Sequence, residues 1–165
     1  MKVSAEVEIA CSLASREAQR RRHDLMTVEH LLYALLYDEE TARVLRKSGG
    51  NVERIRQKLE RWFDEQMPKV PEGRTVIPTP SRGFQRVLQR AAVHVESSGR
   101  DELRGHHVLV AIFGEADSPA VQLLGEEGVA RFDVVSYVAH GVARNDDDSE
   151  LEGAGQPAGD TEERL

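Results

Sequence analysis

Thr27-Val28-Glu29-His30-Leu31-Leu32-Tyr33-Ala34-Leu35-Leu36 returns later in the chain as Arg104-Gly105-His106-His107-Val108-Leu109-Val110-Ala111-Ile112-Phe113. The offset is 77 residues, and it also lays Val7, Cys11, Ala14 and Ala18 on Phe84, Leu88, Ala91 and Val95. Further along, an offset of 79 lays Ile55 and Leu59 on Val134 and Val138, so the second copy has gained two residues. Apolar positions at i, i+3 or i+4, i+7 and i+11 mark one face of a helix, and the same faces repeated in order mark two copies of one helical unit. A single copy cannot cover its own apolar face. The expectation is therefore an all-α fold, an eight-helix bundle with pseudo-twofold symmetry built from two tandem four-helix repeats.

Punctuation between the apolar stripes places the helices. The first runs from about Ser4 to Arg22, and Thr27 is a good N-cap for the second. A short third helix with Ala42 and Leu45 stops at Gly49-Gly50, and Asn51 caps a fourth carrying Ile55, Leu59, Trp62 and Phe63. Residues 68–80 hold Pro68, Pro71, Pro78 and Pro80, four of the six prolines, and read as an extended linker. Ser81 opens the fifth helix, which stops at Ser98-Gly99; Val108 to Phe113 forms the sixth. Ser118-Pro119 opens the seventh, which stops near Gly128, and the eighth runs through Val134 and Val138 to His140-Gly141. Repeat one thus occupies about 1–67 and repeat two about 81–144, one domain over 1–144.

The formal net charge of −7 is unevenly spread. Residues 145–165 contain eight acidic side chains and Arg164 as the one base; removing these from 29 acids and 22 bases leaves 21 of each in residues 1–144. The body is neutral, which argues against a general nucleic-acid binder. The tail is acidic and nearly free of apolar residues, and is expected to be a disordered linker. Aromatic residues make up 5% of the chain, so the core must rest on Leu, Val, Ile and Ala. Cys11 is the single cysteine and falls in an apolar stripe, as a small core hydrophobe would. No stretch approaches the roughly 20 apolar residues of a membrane span, and charged Lys2, Glu6 and Glu8 stand where a signal peptide would be apolar. The expected location is cytoplasmic, and the expected partners include no nucleic acid and no membrane.

Motifs for chemistry are missing. No G-x-x-x-x-G-K-[ST] loop, G-x-G-x-x-G fingerprint, H-E-x-x-H pair or G-x-S-x-G elbow occurs in the 165 residues. No residue is assigned a catalytic role, and the chain is expected not to be an enzyme. Arg20, Arg21, Arg22 and His23 close the first helix, where positive charge complements the helix dipole; a phosphate site is the sharper alternative. His30 and His107 are repeat-equivalent, one turn into buried helices, and read as structural histidines. His23, Asp24 and Asp64 or Glu65 could supply ligands to zinc if the fold joined them, but no metal site is expected.

Several blocks carry a resemblance. Met26-Thr27-Val28-Glu29-His30-Leu31-Leu32 with Ala34-Leu35-Leu36 is similar to the first repeat of the Clp N-terminal domain, which precedes the ATPase modules of Clp/Hsp100 unfoldases. Phe84-Gln85-Arg86-Val87-Leu88-Gln89-Arg90-Ala91, His94-Val95, Ser97-Ser98-Gly99-Arg100, Val108 to Phe113, and Asp133-Val134-Val135 with His140-Gly141 resemble the ClpA-type branch. The match covers about residues 1–144 and weakens at the linker and the tail.

The resemblance implies an adaptor- and substrate-docking domain of the regulatory ATPase of the ClpAP protease. Such a domain docks the adaptor ClpS, which delivers N-degron substrates, while the parent unfolds protein substrates with ATP and passes them to the ClpP peptidase. This chain then needs no cofactor of its own, with ATP confined to parent modules that are absent here, and the isolated domain is expected to be a monomer. Carried over residue by residue, the adaptor-binding surface falls on His23, Asp24, Thr27 and Glu29 at the start of the second helix, and on Pro80, Ser81 and Arg86 at the start of the fifth. Exposed charges beside free helix amides would fix a partner's register there. A second reading is a stand-alone Clp-N-like protein that binds a peptide or small ligand without any ATPase.

Overall fold

Each repeat opens on a serine. The Ser4 hydroxyl accepts the Val7 amide and the Ser81 hydroxyl accepts the Phe84 amide, starting α1 (Ala5–Arg20) and α5 (Arg82–Ser97) at a spacing of 77 residues. The same spacing relates α2 (Val28–Leu35) to α6 (Gly105–Ile112). The remaining helices are α3 (Glu39–Lys47), α4 (Val52–Gln66), α7 (Pro119–Glu126) and α8 (Arg131–His140). Residues 1–141 are described in the computed structural model; the expected acidic linker lies outside them. Among the described residues the chain is all-α apart from four two-residue strands, and the eight helices are the expected ones.

The core confirms the duplication position by position. Val7/Phe84, Ala14/Ala91, Leu31/Val108, Leu32/Leu109, Leu35/Ile112, Leu45/Leu124 and Ile55/Val134 are all buried. Cys11 and Leu88 are both half-buried, packed on the edge of that core. The equivalence fails at Leu59 and Val138: Leu59 is fully buried, whereas Val138 is exposed. α8 has 10 residues against 15 in α4, and Val134 is its one buried side chain. Backbone turns repeat as well, since Arg22 and Gly99, 77 residues apart, both take positive φ, as do Gly49 and Gly128.

The strands β1 (Lys2–Val3), β2 (Leu25–Met26), β3 (Thr79–Pro80) and β4 (Glu102–Leu103) were not foreseen from the pattern. They form two parallel ladders, β1 with β4 and β2 with β3, so each repeat lends its first strand to the other. The segment 68–80, expected as an extended linker, is tied to repeat one at several points. Its last two residues belong to a ladder, Val76 is buried, and the Val70 amide and carbonyl are both tied to Arg22.

Elsewhere the repeats meet helix to helix, α2 against α5, α6 and α7, α3 against α6 and α8, and α4 against α7. Gly105 marks one close approach, of α6 to α3. A Cβ there would lie 2.3 Å from Thr41 Oγ1 and 3.1 Å from Asp38 Oδ2, the N-cap carboxylate of α3. Gly105→Ala should therefore destabilise by about 1–3 kcal/mol despite alanine's better helix propensity, because overpacking outweighs a gain of about 1 kcal/mol. Urea melts of the two proteins check this; an equal or higher midpoint for the variant would show that α3 can yield.

Candidate docking cleft

Three helix N-termini converge on one side of the repeat junction. Thr27, Ser81 and Ser118, the N-caps of α2, α5 and α7, line an open cleft of about 580 Å³. Gly83 lets α5 come this near to α2, since a Cβ there would lie 3.1 Å from Val28 Cγ2. Arg86 and Arg90, one turn apart on α5, form the basic wall. Both pair with Glu115, at 2.7 Å and 3.1 Å, and Arg90 also donates to the Ala111 carbonyl at 3.0 Å. Gly114 makes room for the Arg90 guanidinium, which would lie 2.6 Å from a Cβ at that position. The Arg86 hydrogen bond, with Arg90 behind it, holds the Glu115 carboxyl below the usual carboxylate range.

The structure brings four of the seven sequence-assigned residues into this cleft, Thr27, Glu29, Ser81 and Arg86. Asp24, just before β2, and Pro80 of β3 are exposed and do not line it, and the Asp24 carbonyl accepts the Thr79 amide. Two residues differ from the expectation of an exposed, charged contact. Glu29 is buried, and its carboxylate accepts the Ala120 amide of α7 at 2.9 Å.

His23 is fully buried and does not belong to the surface. Arg22, at φ 62, turns the chain so that His23 points inward against Phe63 and His30. His23 Nδ1 and His30 Nε2 lie 2.9 Å apart, and His30 Nδ1 accepts the Thr27 amide at 2.9 Å. The latter bond closes the first turn of α2 from the inside, and His107 does the same for Arg104 in repeat two. Burial first, then the positive Arg21, depresses the His23 pKa to about 4; burial and His23 itself depress His30 to about 3. Both are neutral imidazoles in the core. The arginines before His23 are structural too: Arg20 and Arg21 pair with Glu17, and Arg21 stacks over Phe63. The zinc grouping is not assembled: among the described residues no three His, Cys, Asp or Glu side chains are placed to hold a metal ion.

Sequence reading missed Arg90, Glu115 and Ser118 as cleft residues, although a signal was present. The two residues gained by the second copy fall between α6 and α7. That connection spans 113–118 where its equivalent spans 36–38, the third extra residue coming from a start of α7 one position later, and it carries Glu115. An extra loop at one of two equivalent junctions breaks the twofold locally, and loops on a rigid scaffold are where binding residues concentrate.

The family pattern described as "Clp repeat (R) N-terminal domain" matches residues 2–127. The chain belongs to the Clp N-terminal domain family. A ClpA homolog protein of Fuscovulum blasticum is 41% identical over 160 residues, covering 93% of this chain. The chain spans 20% of that relative's length. Among solved structures, the N-domain of ClpV from Vibrio cholerae superposes with a TM-score of 0.68 at 22% identity, covering 87% of this chain and 88% of the other. A ClpV N-domain in complex with a VipB peptide gives 0.64 at 23% identity, over 84% and 86% of the two chains. At such identities the likeness shows the fold, and the Clp N fold is the one built here from two crossed repeats. A Clp N domain is not catalytic by itself, and no helix among the described residues is long and apolar enough to cross a membrane.

Proposed function

We propose that this Clp N domain is the adaptor- and substrate-docking module of a ClpA-type ATP-dependent unfoldase, and that partners seat in the cleft between α2, α5 and the α6–α7 connection. The observation that carries this reading is the asymmetry of the junctions. The longer connection opens one of them into a cleft edged by two arginines and three helix N-caps. Helix N-termini leave amides that favour acceptors, and charged side chains beside them fix a partner's orientation. The likeness to a ClpV N-domain that takes a peptide supports a polypeptide as the ligand class. Likeness to a ClpA homolog supports a ClpS-type adaptor bearing N-degron substrates as the partner, in the cytoplasm. ATP hydrolysis and the handover to ClpP are then the work of the parent's other modules, and this domain docks as a monomer.

The test is titration calorimetry with a purified ClpS-type adaptor. Arg86→Glu and Asp24→Arg should each weaken binding about tenfold or more, equivalent to about 1.4 kcal/mol. Their circular dichroism should be unchanged, because Arg86 and Asp24 are solvent-exposed side chains whose charges contribute little to folding. Affinities equal to wild type for both variants would remove the two residues from the interface. A wild-type domain that binds no adaptor would overturn the reading.

A further inference from the structure

The amide of the second residue of α7 and that of its repeat equivalent in α3 have the same need met in different ways. In α3, the Thr41 amide is taken locally by the N-cap Asp38 at 3.0 Å. In α7, the N-cap Ser118 takes the Val121 amide, and the Ala120 amide is taken from across the repeat junction by Glu29. Position 29 has its own equivalent in His106, so a carboxylate stands at one of the two matching places. It is 4% exposed, and its bonded partner is the positive end of a helix. Charge at a helix N-terminus is favourable, and a buried polar group is costly to leave unpaired. Thr27 and Val28 beside Glu29, and Ser118 and Pro119 beside Ala120, all line the cleft.

We infer that Glu29 is a positioning residue: a strut from α2 to the N-terminus of α7 that fixes the separation of the cleft walls, rather than a charge presented to the partner. The consequence for binding rests on the docking reading above; the strut itself does not. The amide acceptor carries the strut and the charge adds a smaller interaction with the helix end, so two substitutions separate the roles. Glu29→Gln keeps an oxygen at the same reach and loses the charge. Glu29→Asp keeps the charge and falls one methylene short of Ala120.

The experiment combines native-state amide exchange at Ala120 with calorimetric titration of a ClpS-type adaptor, on wild type and both variants. A strut predicts that Glu29→Gln stays within about twofold of wild type in affinity and exchange. It predicts that Glu29→Asp exchanges at Ala120 about tenfold faster and binds the adaptor about tenfold more weakly. The reverse order, with Glu29→Gln impaired and Glu29→Asp near wild type, would overturn the strut and make Glu29 a charged contact. Unchanged exchange at Ala120 in Glu29→Asp would overturn it as well. If wild type binds no adaptor the docking reading falls, and exchange at Ala120 alone decides the strut.

Discussion

Lowering the pH from 7 to about 4.5 should strip this domain of several kcal/mol of stability. The cause is the buried histidine pair. His30 Nδ1 accepts the Thr27 amide, so its proton sits on Nε2 and is donated to His23 Nδ1. The His23 proton is then on Nε2, which has no hydrogen-bond partner among the described residues. A further proton on either ring would remove an acceptor already in use and place charge beside Phe63. Around the pair stand Arg21 and Lys69, which oppose protonation, and Asp24, Asp64 and Glu17, which favour it; burial outweighs them all.

The folded pKa values of about 4 and about 3 lie below the ordinary value of 6.5. The native state therefore binds fewer protons than the unfolded chain. The stabilisation is complete above pH 6.5 and is lost as pH falls toward 4 and then 3. A tenfold difference in proton affinity between the folded and unfolded chain is worth about 1.4 kcal/mol. The two rings together therefore cost on the order of 5 kcal/mol by pH 4.5, against a typical domain stability of about 5–15 kcal/mol. His107, depressed to about 4 by its own burial, acts in the same direction. Thermal melts at pH 7, 5.5 and 4.5 should fall steeply, and the ring resonances of His23 and His30 should not titrate in the folded state above pH 5. A flat melting temperature with both rings titrating near 6.5 would show that the pair is hydrated.

Leu32→Ala and Leu109→Ala should each cost about 2–5 kcal/mol, and by similar amounts. The two leucines are repeat equivalents at the centre of α2 and α6, and neither exposes any surface. Because α2 and α6 pack on each other as well as on α1 and α5, a hole at either site removes contacts to both repeats. Collapse around the cavity is limited, since the neighbours Leu31, Leu35, Val108 and Ile112 are themselves fully enclosed. Urea-unfolding midpoints give the result directly. A loss below about 1 kcal/mol at either site would mean that the core there is loosely packed.

Helix order, caps and most of the core were legible in the sequence because periodicity and capping are local. Asn51, Ser81 and Ser118 cap the helices that their positions announced. What local pattern could not supply was direction after a turn. Arg20-Arg21-Arg22-His23 has the composition of a solvated helix end, yet a left-handed residue at Arg22 sends His23 into the core. Glu29 reads as a dipole-facing surface charge until α7, 91 residues away, is placed against it. Strands of two residues carry no periodicity at all, so the crossed ladders were invisible. The cleft was half legible: the starts of α2 and α5 came through the resemblance, whereas Glu115 lay in the extra residues that a repeat alignment treats as a gap.

The crossed ladders also govern the order in which the chain can assemble. Lys2 pairs with Glu102 across about 100 residues, and Leu25 pairs with Thr79 across about 54. When repeat one leaves the ribosome, the strands that complete it have not been made. Its four helices emerge with β1 and β2 unpaired and with the faces of α2, α3 and α4 that meet repeat two still open to water. Closing such long loops costs entropy that grows only slowly with length, but contacts this distant slow folding. Each copy therefore leaves a ladder incomplete until the other is synthesised, a topology expected to couple the folding of the two.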